Sequence, residues 1–101
     1  MPQPNLIQSK LTWRFMLQDA KKRTEQMLKV DPDWQLAKVI SRQLEFMEEC
    51  TRGERSPTPE EAGRITIGPI GAKNFEESDP EYAQWLGELE YAFRVTWSRL
   101  P

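Results

Sequence analysis

Apolar residues recur at helical spacing through most of the chain. Between residues 5 and 30 they lie three, four or seven positions apart, a period that predicts a helix with one buried face. Leu11, Phe15 and Met16 lie partly off this stripe, so the helix is either covered on a second side or presents an apolar patch to a partner. The stripe itself consists of Leu6, Trp13, Leu17, Ala20, Thr24 and Met27.

A second helix is predicted over residues 32–52. Asp31 precedes Pro32, and an acidic N-cap followed by proline is a typical helix start. Gly53 is typical of a C-terminal stop, and residues 53–59 are expected to form a loop. Two apolar stripes predict neighbours on two sides of this helix. They consist of Leu36, Ile40, Leu44 and Met47, and of Val39, Phe46 and Cys50.

Two short elements are expected in the middle of the chain. Glu61 follows Thr58 by three residues, with Pro59 between them, which is the spacing of a capping box and predicts a helix over 59–64. Residues 65–75 begin with a β-prone Ile-Thr-Ile run, but the Gly-Pro pair that follows argues against a continuing strand. We therefore expect a short helix there that turns three side chains inward: Ile67, Ile70 and Phe75.

The last helix is predicted over residues 79–99. Ser78 or Asp79 can cap it, and Pro80 suits its first turn. Its apolar stripe is continuous and consists of Tyr82, Trp85, Leu86, Leu89, Phe93, Trp97 and Leu100.

Together these elements predict an all-α fold, a small antiparallel helical bundle of three long helices and one or two short ones. A length of 101 residues suits a single domain spanning residues 1–101, in which we expect residues 1–5 to be disordered. A domain of this size has room for one modest core, and a large enclosed active-site cavity is not expected.

The residue types argue against catalysis. The chain has no histidine, so it lacks the commonest general base and the imidazole metal ligand. Its one cysteine, Cys50, cannot form a Cys–His pair or an intrachain disulfide, and its place on a helix stripe predicts a buried structural thiol. Gly68 and Gly71 do not form a phosphate-binding signature and are expected to allow close packing or a turn. We therefore expect no enzyme activity, no metal and no cofactor.

The chain is expected to act in the cytoplasm. It begins without a basic segment followed by an apolar run, so no secretory signal is predicted. No stretch approaches the roughly 18 apolar residues of a membrane span. A lone cysteine also fits a reducing compartment.

Charge is divided unevenly along the chain. Residues 1–44 hold eight Lys/Arg and four Asp/Glu, residues 45–101 hold six and twelve, and the resulting +4 and −6 give the net charge of −2. The acidic half suits a basic partner surface, although solubility alone would also explain it. Adjacent carboxylates on a helix do not face each other, so acid–base catalysis is disfavoured. We select these as partner-binding residues: Glu45, Glu48, Glu49, Glu76, Glu77, Asp79 and Glu81.

Two other features leave room for different interpretations. The Lys21-Lys22-Arg23 run on the first helix would suit a nucleic-acid-associated adaptor, but no recognition-helix pattern accompanies it and a solvated face is favoured. Trp34, Phe15 and Tyr91 fall outside the clean stripes, and an exposed aromatic side chain among acidic residues would suit an interface anchor.

Residues 64–82 resemble a segment of the small helical immunity proteins that accompany type VI secretion NAD(P)⁺ glycohydrolase toxins. The similarity extends over about residues 10–101 and includes the Gln43-Leu44-Glu45-Phe46 helix centre and a Leu-Pro ending at 100–101. Pro69 and Gly71 depart from it, since they replace residues that favour a helix more. The matching positions of the segment are Arg64, Thr66, Gly68, Ile70, Lys73, Phe75, Glu77, Asp79, Pro80 and Glu81.

The resemblance implies an all-helical, non-catalytic cytoplasmic protein that binds the C-terminal toxin domain of a secreted effector. Such a protein would cover the active-site cleft of the toxin so that NAD(P)⁺ cannot enter. The acidic residues selected above would then meet Lys and Arg around that cleft, with no nucleic-acid or membrane partner. The alternatives are immunity to a pyrophosphokinase or ADP-ribosyltransferase toxin, a small helical adaptor, and, least favoured, a small enzyme.

Overall fold

The computed structural model describes residues 7–101, and within them the chain forms five α-helices and no strand. A π-helical turn (Ala92–Thr96) and a 3₁₀ turn (Trp97–Arg99) continue the last helix. The expectation of an all-α fold is therefore confirmed. The predictions for residues 1–5 and for Leu6 lie outside the described residues. The helices are α1 (Lys10–Val30), α2 (Gln35–Cys50), α3 (Pro59–Ala62), α4 (Ile67–Phe75) and α5 (Pro80–Tyr91).

The four longer helices form a ring in which neighbours are antiparallel. The indole Nε1 of Trp13 donates to the Leu89 carbonyl at 3.1 Å, and the hydroxyls of Thr24 and Tyr82 lie 2.6 Å apart. Later residues of α1 thus meet earlier residues of α5. The same reversed order joins α1 to α2, α2 to α4 and α4 to α5. The core lies inside this ring.

Helix α1 begins later than its apolar pattern suggested. The prediction of a start at residue 5 is wrong for the described residues, because Ile7 to Ser9 are not helical and α1 starts at Lys10. The hydroxyl of Ser9 accepts the N–H of Thr12 at 3.1 Å, so a serine N-cap sets the boundary.

The predicted start of α2 is also wrong. Asp31 does not cap α2; its N–H closes the end of α1 on the Met27 carbonyl at 2.9 Å. The helix begins only after Trp34, whose ring lies 5.8 Å from that of Phe75. The Trp34 N–H donates to the Asp31 carbonyl at 3.2 Å, so Asp31-Pro32 begins a local turn instead of the first helical turn. The helix ends at Cys50, two residues before the predicted boundary.

The capping box that predicts α3 is confirmed. Thr58 Oγ1 accepts the N–H of Glu61 at 3.1 Å, and Glu61 Oε1 accepts the N–H of Thr58 at 3.0 Å. This backbone hydrogen bond and the Arg55 guanidinium lower the pKa of Glu61 from 4.5 to about 2. The α-helix itself stops at Ala62, earlier than the predicted residue 64.

The expected helix after residue 65 is confirmed as α4. Ile67 and Phe75 are buried as predicted, and Ile70 is partly buried against the core. A Cβ on Gly71 would lie 3.1 Å from a methyl carbon of Leu86, so the glycine lets α4 approach α5 closely. Gly71 therefore has the packing role expected of it.

The last helix does not run unbroken from 79 to 99 as predicted. The α-helical part ends at Tyr91, and the wider turn of the π-helix follows. Across this turn, Phe93 and Trp97 both face Trp13, at ring-centroid distances of 6.1 Å (stacked) and 4.8 Å (edge to face). Phe93 and Trp97 are four positions apart, so both lie on one face of the helix and contact the same indole.

The thiol of Cys50 is buried, with 1% of the residue exposed, as expected. Burial raises its pKa above the ordinary value of 9.0. The cysteine is therefore a structural residue of the core and is protonated at neutral pH.

Candidate functional site

Three exposed side chains form a straight strip along the outer side of α1: Leu11, Phe15 and Lys22. They lie four and seven positions apart, which places them on one face of the helix. Leu11 is 66% and Phe15 70% exposed, whereas Met16 beside them is buried. Of the two possibilities raised by the sequence, an apolar patch is therefore the one that the structure contains. We call these three residues the outer strip.

One of the two predicted acidic groups borders α1 on the side of α2. The Glu48 carboxylate accepts from Lys21 Nζ at 2.8 Å and from Gln18 Nε2 at 2.5 Å. These hydrogen bonds, that of Lys21 first, lower the pKa of Glu48 below 4.5. Glu48 is thus a fixed anion at neutral pH. Neighbouring Glu45 and Glu49 are exposed, and Glu49 pairs with Arg52 at 2.9 Å.

The other acidic group borders α1 on the side of α5. The Arg23 guanidinium pairs with Glu81, lies 3.8 Å from Asp79, and pairs with Asp19 of its own helix at 2.9 Å. It also lies over the ring of Trp85, 4.7 Å from the centroid. Asp79 is also the N-cap of α5, since its carboxylate accepts the N–H of Tyr82. The ion pairs of Arg23 with Asp79 and Glu81 therefore join α1 to the first turn of α5.

The two acidic groups therefore lie on opposite sides of α1. Lys21 and Arg23 are two positions apart, which is a rotation of about 200° around a helix. Lys22, between them, is exposed. The outer strip consequently runs between carboxylates that two basic residues hold in place.

Glu76 and Glu77 are farther from α1. Both are exposed in the turn after α4 and, among residues 7–101, neither forms an ion pair. The same holds for Glu45. The structure thus brings Glu48, Asp79 and Glu81 to the flanks of α1, where each is paired with a cation. Glu45, Glu76 and Glu77 are the predicted carboxylates whose charge no ion pair among residues 7–101 neutralises.

The sequence favoured a solvated basic face here. It did not predict that Lys21 pairs with Glu48 or that Arg23 pairs with Glu81. Both cations are half-buried and form ion pairs within the fold, and Lys22 is the exposed residue of the three. The four-residue spacing of Asp19 and Arg23 was the available signal for part of this network.

A second exposed surface lies between α4 and α5. Pro69, Tyr91 and Val95 border a shallow groove there, and Tyr91 is 46% and Val95 48% exposed. At its base, the Glu90 carboxylate accepts the Gly68 N–H at 2.7 Å. The burial of Glu90 was missed, because its place in the sequence pattern is that of an ordinary surface acid.

Of the other aromatic candidates, Phe15 and Tyr91 are exposed, whereas Trp34 is half-buried against Phe75. Residues 7–101 contain no group of three or more His, Cys, Asp or Glu side chains arranged to hold a metal ion. Over the same residues, none of the helices has the length and apolar character needed to cross a membrane.

The fold and site define a small all-α protein whose candidate site is an exposed surface with an apolar centre and ion-paired carboxylates on its flanks, an arrangement typical of protein recognition. The model of the Tsi6 family matches residues 12–95. The chain therefore belongs to the Tsi6 family, a family of type VI secretion immunity proteins that bind a cognate toxin effector. No curated protein and no solved structure matched the chain.

Proposed function

We propose that this chain neutralises a type VI toxin domain that hydrolyses NAD(P)⁺, by covering the nucleotide cleft of that domain. Membership of the Tsi6 family is the observation that carries the proposal, since it makes a toxin effector the partner. The resemblance of residues 64–82 to immunity proteins of glycohydrolase effectors specifies the chemistry. The chain would act in the cytoplasm as one domain, residues 1–101, on the C-terminal domain of the effector, without cofactor or catalysis.

The charge of the candidate site supports this choice of partner surface. A cleft that binds a dinucleotide such as NAD⁺ needs cations and N–H donors for its pyrophosphate group. Carboxylates are the side chains that such a cleft attracts when the nucleotide is absent. Three predicted carboxylates have no ion pair in the described structure and supply that charge: Glu45, Glu76 and Glu77. Four others are held in place by ion pairs within the fold: Glu48, Glu49, Asp79 and Glu81.

The function is tested by expressing the cognate toxin domain with and without the chain. We expect loss of NAD(P)⁺ and of growth without the chain, and recovery of both with it. The purified toxin domain should release free ADP-ribose from NAD⁺. Stable NAD⁺ with falling ATP would instead indicate a pyrophosphokinase, and ADP-ribose attached to a macromolecule would indicate a transferase.

The acidic site is tested by reversing three charges that have no intramolecular partner in the described structure: Glu45→Lys, Glu76→Lys and Glu77→Lys. We expect slower association, by about tenfold or more, and a weaker salt dependence, because flanking charges act mainly on the association rate. Glu54→Lys, an exposed reversal in the connection between α2 and α3, is the control. A triple variant that associates and protects like the wild type would refute the assignment of these three carboxylates.

A further inference from the structure

We propose that the toxin domain docks on the outer strip of α1, with Leu11 and Phe15 as its apolar anchors. This inference rests on the proposed function for the identity of the partner and goes beyond it in assigning the contact surface. Two large apolar side chains one helical turn apart are mostly exposed, and neither belongs to the core.

The surroundings of the strip are those of an interface centre. Protein interfaces concentrate binding energy in a few apolar or aromatic side chains, with charged groups around them. Here Glu48 lies on one side of α1, and Asp79 and Glu81 lie on the other. Glu48 is neutralised by Lys21, whereas Asp19, Asp79 and Glu81 share one cation, Arg23, so the α5 side keeps a net negative charge. A partner that buries Phe15 therefore meets net negative charge on the α5 side, which suits a cleft with a basic rim.

The helix that carries the strip is rigid before binding. Its opposite face contains Trp13, Leu17 and Ala20, all at most 1% exposed, and the Trp13 indole donates to α5. The anchors are consequently held at a fixed spacing, so little backbone freedom is lost on docking. Lys21 and Arg23 act here as positioning residues, since each holds a flanking carboxylate by an ion pair.

Charge also selects among possible occupants of the strip. In an antiparallel symmetric dimer of this chain through α1, the net negative α5 side would face the same side of the other copy, because a two-fold axis across the helix leaves each side opposite itself. Like charges across an interface repel, so a second copy is disfavoured. A toxin domain with cations around its nucleotide cleft has the opposite charge and is the occupant to which we assign this surface.

The test compares Leu11→Asp and Phe15→Asp with two matched controls, Tyr91→Asp and Val30→Asp. All four replace an exposed apolar residue by aspartate, and the controls lie outside the strip. Affinity for the cognate toxin domain is measured by calorimetry, and folding by thermal melting. We expect each strip variant to bind at least about 30-fold more weakly, the scale of an interface hot spot, with an unchanged melting temperature.

Each control should change affinity by less than about threefold. Hydroxyl-radical footprinting of the wild-type complex should show Phe15 protected and Tyr91 still oxidised. Wild-type affinity in Phe15→Asp, or a loss confined to Tyr91→Asp, would overturn the assignment. The chemistry of the toxin is measured separately. A toxin domain that binds the chain but leaves NAD(P)⁺ intact contradicts the glycohydrolase proposal, while the affinities of the variants still show whether the outer strip is the contact surface.

Discussion

Replacing Glu90 should destabilise the fold, because this carboxylate caps a helix to which it does not belong. Thr66, the N-cap residue of α4, makes no side-chain capping bond, and Glu90 accepts the Gly68 N–H at 2.7 Å instead. Glu90 is 7% exposed, and its other oxygen pairs with Arg94 at 3.0 Å. A hydrogen bond to a charged group contributes about 1.5–3 kcal/mol, and an anion at a helix N-terminus about 0.5 kcal/mol more.

The half-exposed pair with Arg94 adds little by comparison. We therefore expect Glu90→Ala to lower the free energy of unfolding by about 2–3 kcal/mol, or the melting temperature by roughly 10–20 °C for a chain of this size. Glu90→Gln keeps an acceptor for the Gly68 N–H and should cost about 1 kcal/mol. Urea denaturation followed by circular dichroism at pH 7 measures both values.

A companion substitution checks that the contact itself is responsible. A Cβ on Gly68 would lie 3.0 Å from Glu90 Oε1 and would displace the carboxylate. Gly68→Ala should therefore be about 1 kcal/mol more favourable in the Glu90→Ala background than in the wild type, where crowding offsets the gain in helix propensity. The capping role would be refuted by additive effects together with a loss below about 0.5 kcal/mol for Glu90→Ala.

Three further predictions concern packing, pH and thiol reactivity. Gly87→Ala should stabilise the chain by about 0.5–1 kcal/mol, because no neighbouring side chain or helix lies within 4 Å of the added Cβ. Gly71→Ala should destabilise it by about 1 kcal/mol, because the added Cβ would lie 3.1 Å from a methyl carbon of Leu86. Denaturant melts with the opposite signs would contradict this. Because the folded pKa of Glu61, about 2, is below its ordinary 4.5, the ionised carboxylate favours folding above about pH 4.5 and this contribution is lost as pH falls towards 2. The melting-temperature deficit of Glu61→Gln at pH 7 should therefore shrink over that range, and a constant deficit would count against it. Cys50 should react with an aromatic disulfide reagent at least about 100-fold more slowly in buffer than in denaturant, and equal rates would show an accessible thiol.

Helix boundaries were predictable where neighbouring residues decide them. Thr58 and Glu61 cap α3 through bonds between residues three apart, and Asp79 caps α5 in the same local way. The turn before α2 is also closed locally, by the Trp34 N–H on the Asp31 carbonyl, and the contact of Trp34 with Phe75 then joins residues distant in the sequence. Asp followed by Pro is typical of a β-turn as well as of a helix start, so these two residues alone do not decide where α2 begins.

The charge of the candidate-site residues was predictable from the sequence, but their spatial arrangement was not. Composition identifies an acidic half, but the ion pairs of Lys21 and Arg23 depend on how α1 crosses its neighbours. Likewise, the spacing of Leu11 and Phe15 placed them off the buried stripe without deciding between a second packing partner and solvent. The path of α2 and α5 around α1 settles that question, because both helices contact other faces of α1.

The separation of the two faces of α1 has a consequence for altering specificity. Trp13, on the inner face, holds the fold, whereas Leu11, Phe15 and Lys22 project away from it. A combinatorial library over these three positions should therefore yield folded proteins at high frequency, since substitutions that touch nothing seldom cost more than about 0.5 kcal/mol. On the docking surface proposed above, redirecting such a protein to a different toxin would require replacing side chains along three turns of one helix, with the scaffold unchanged.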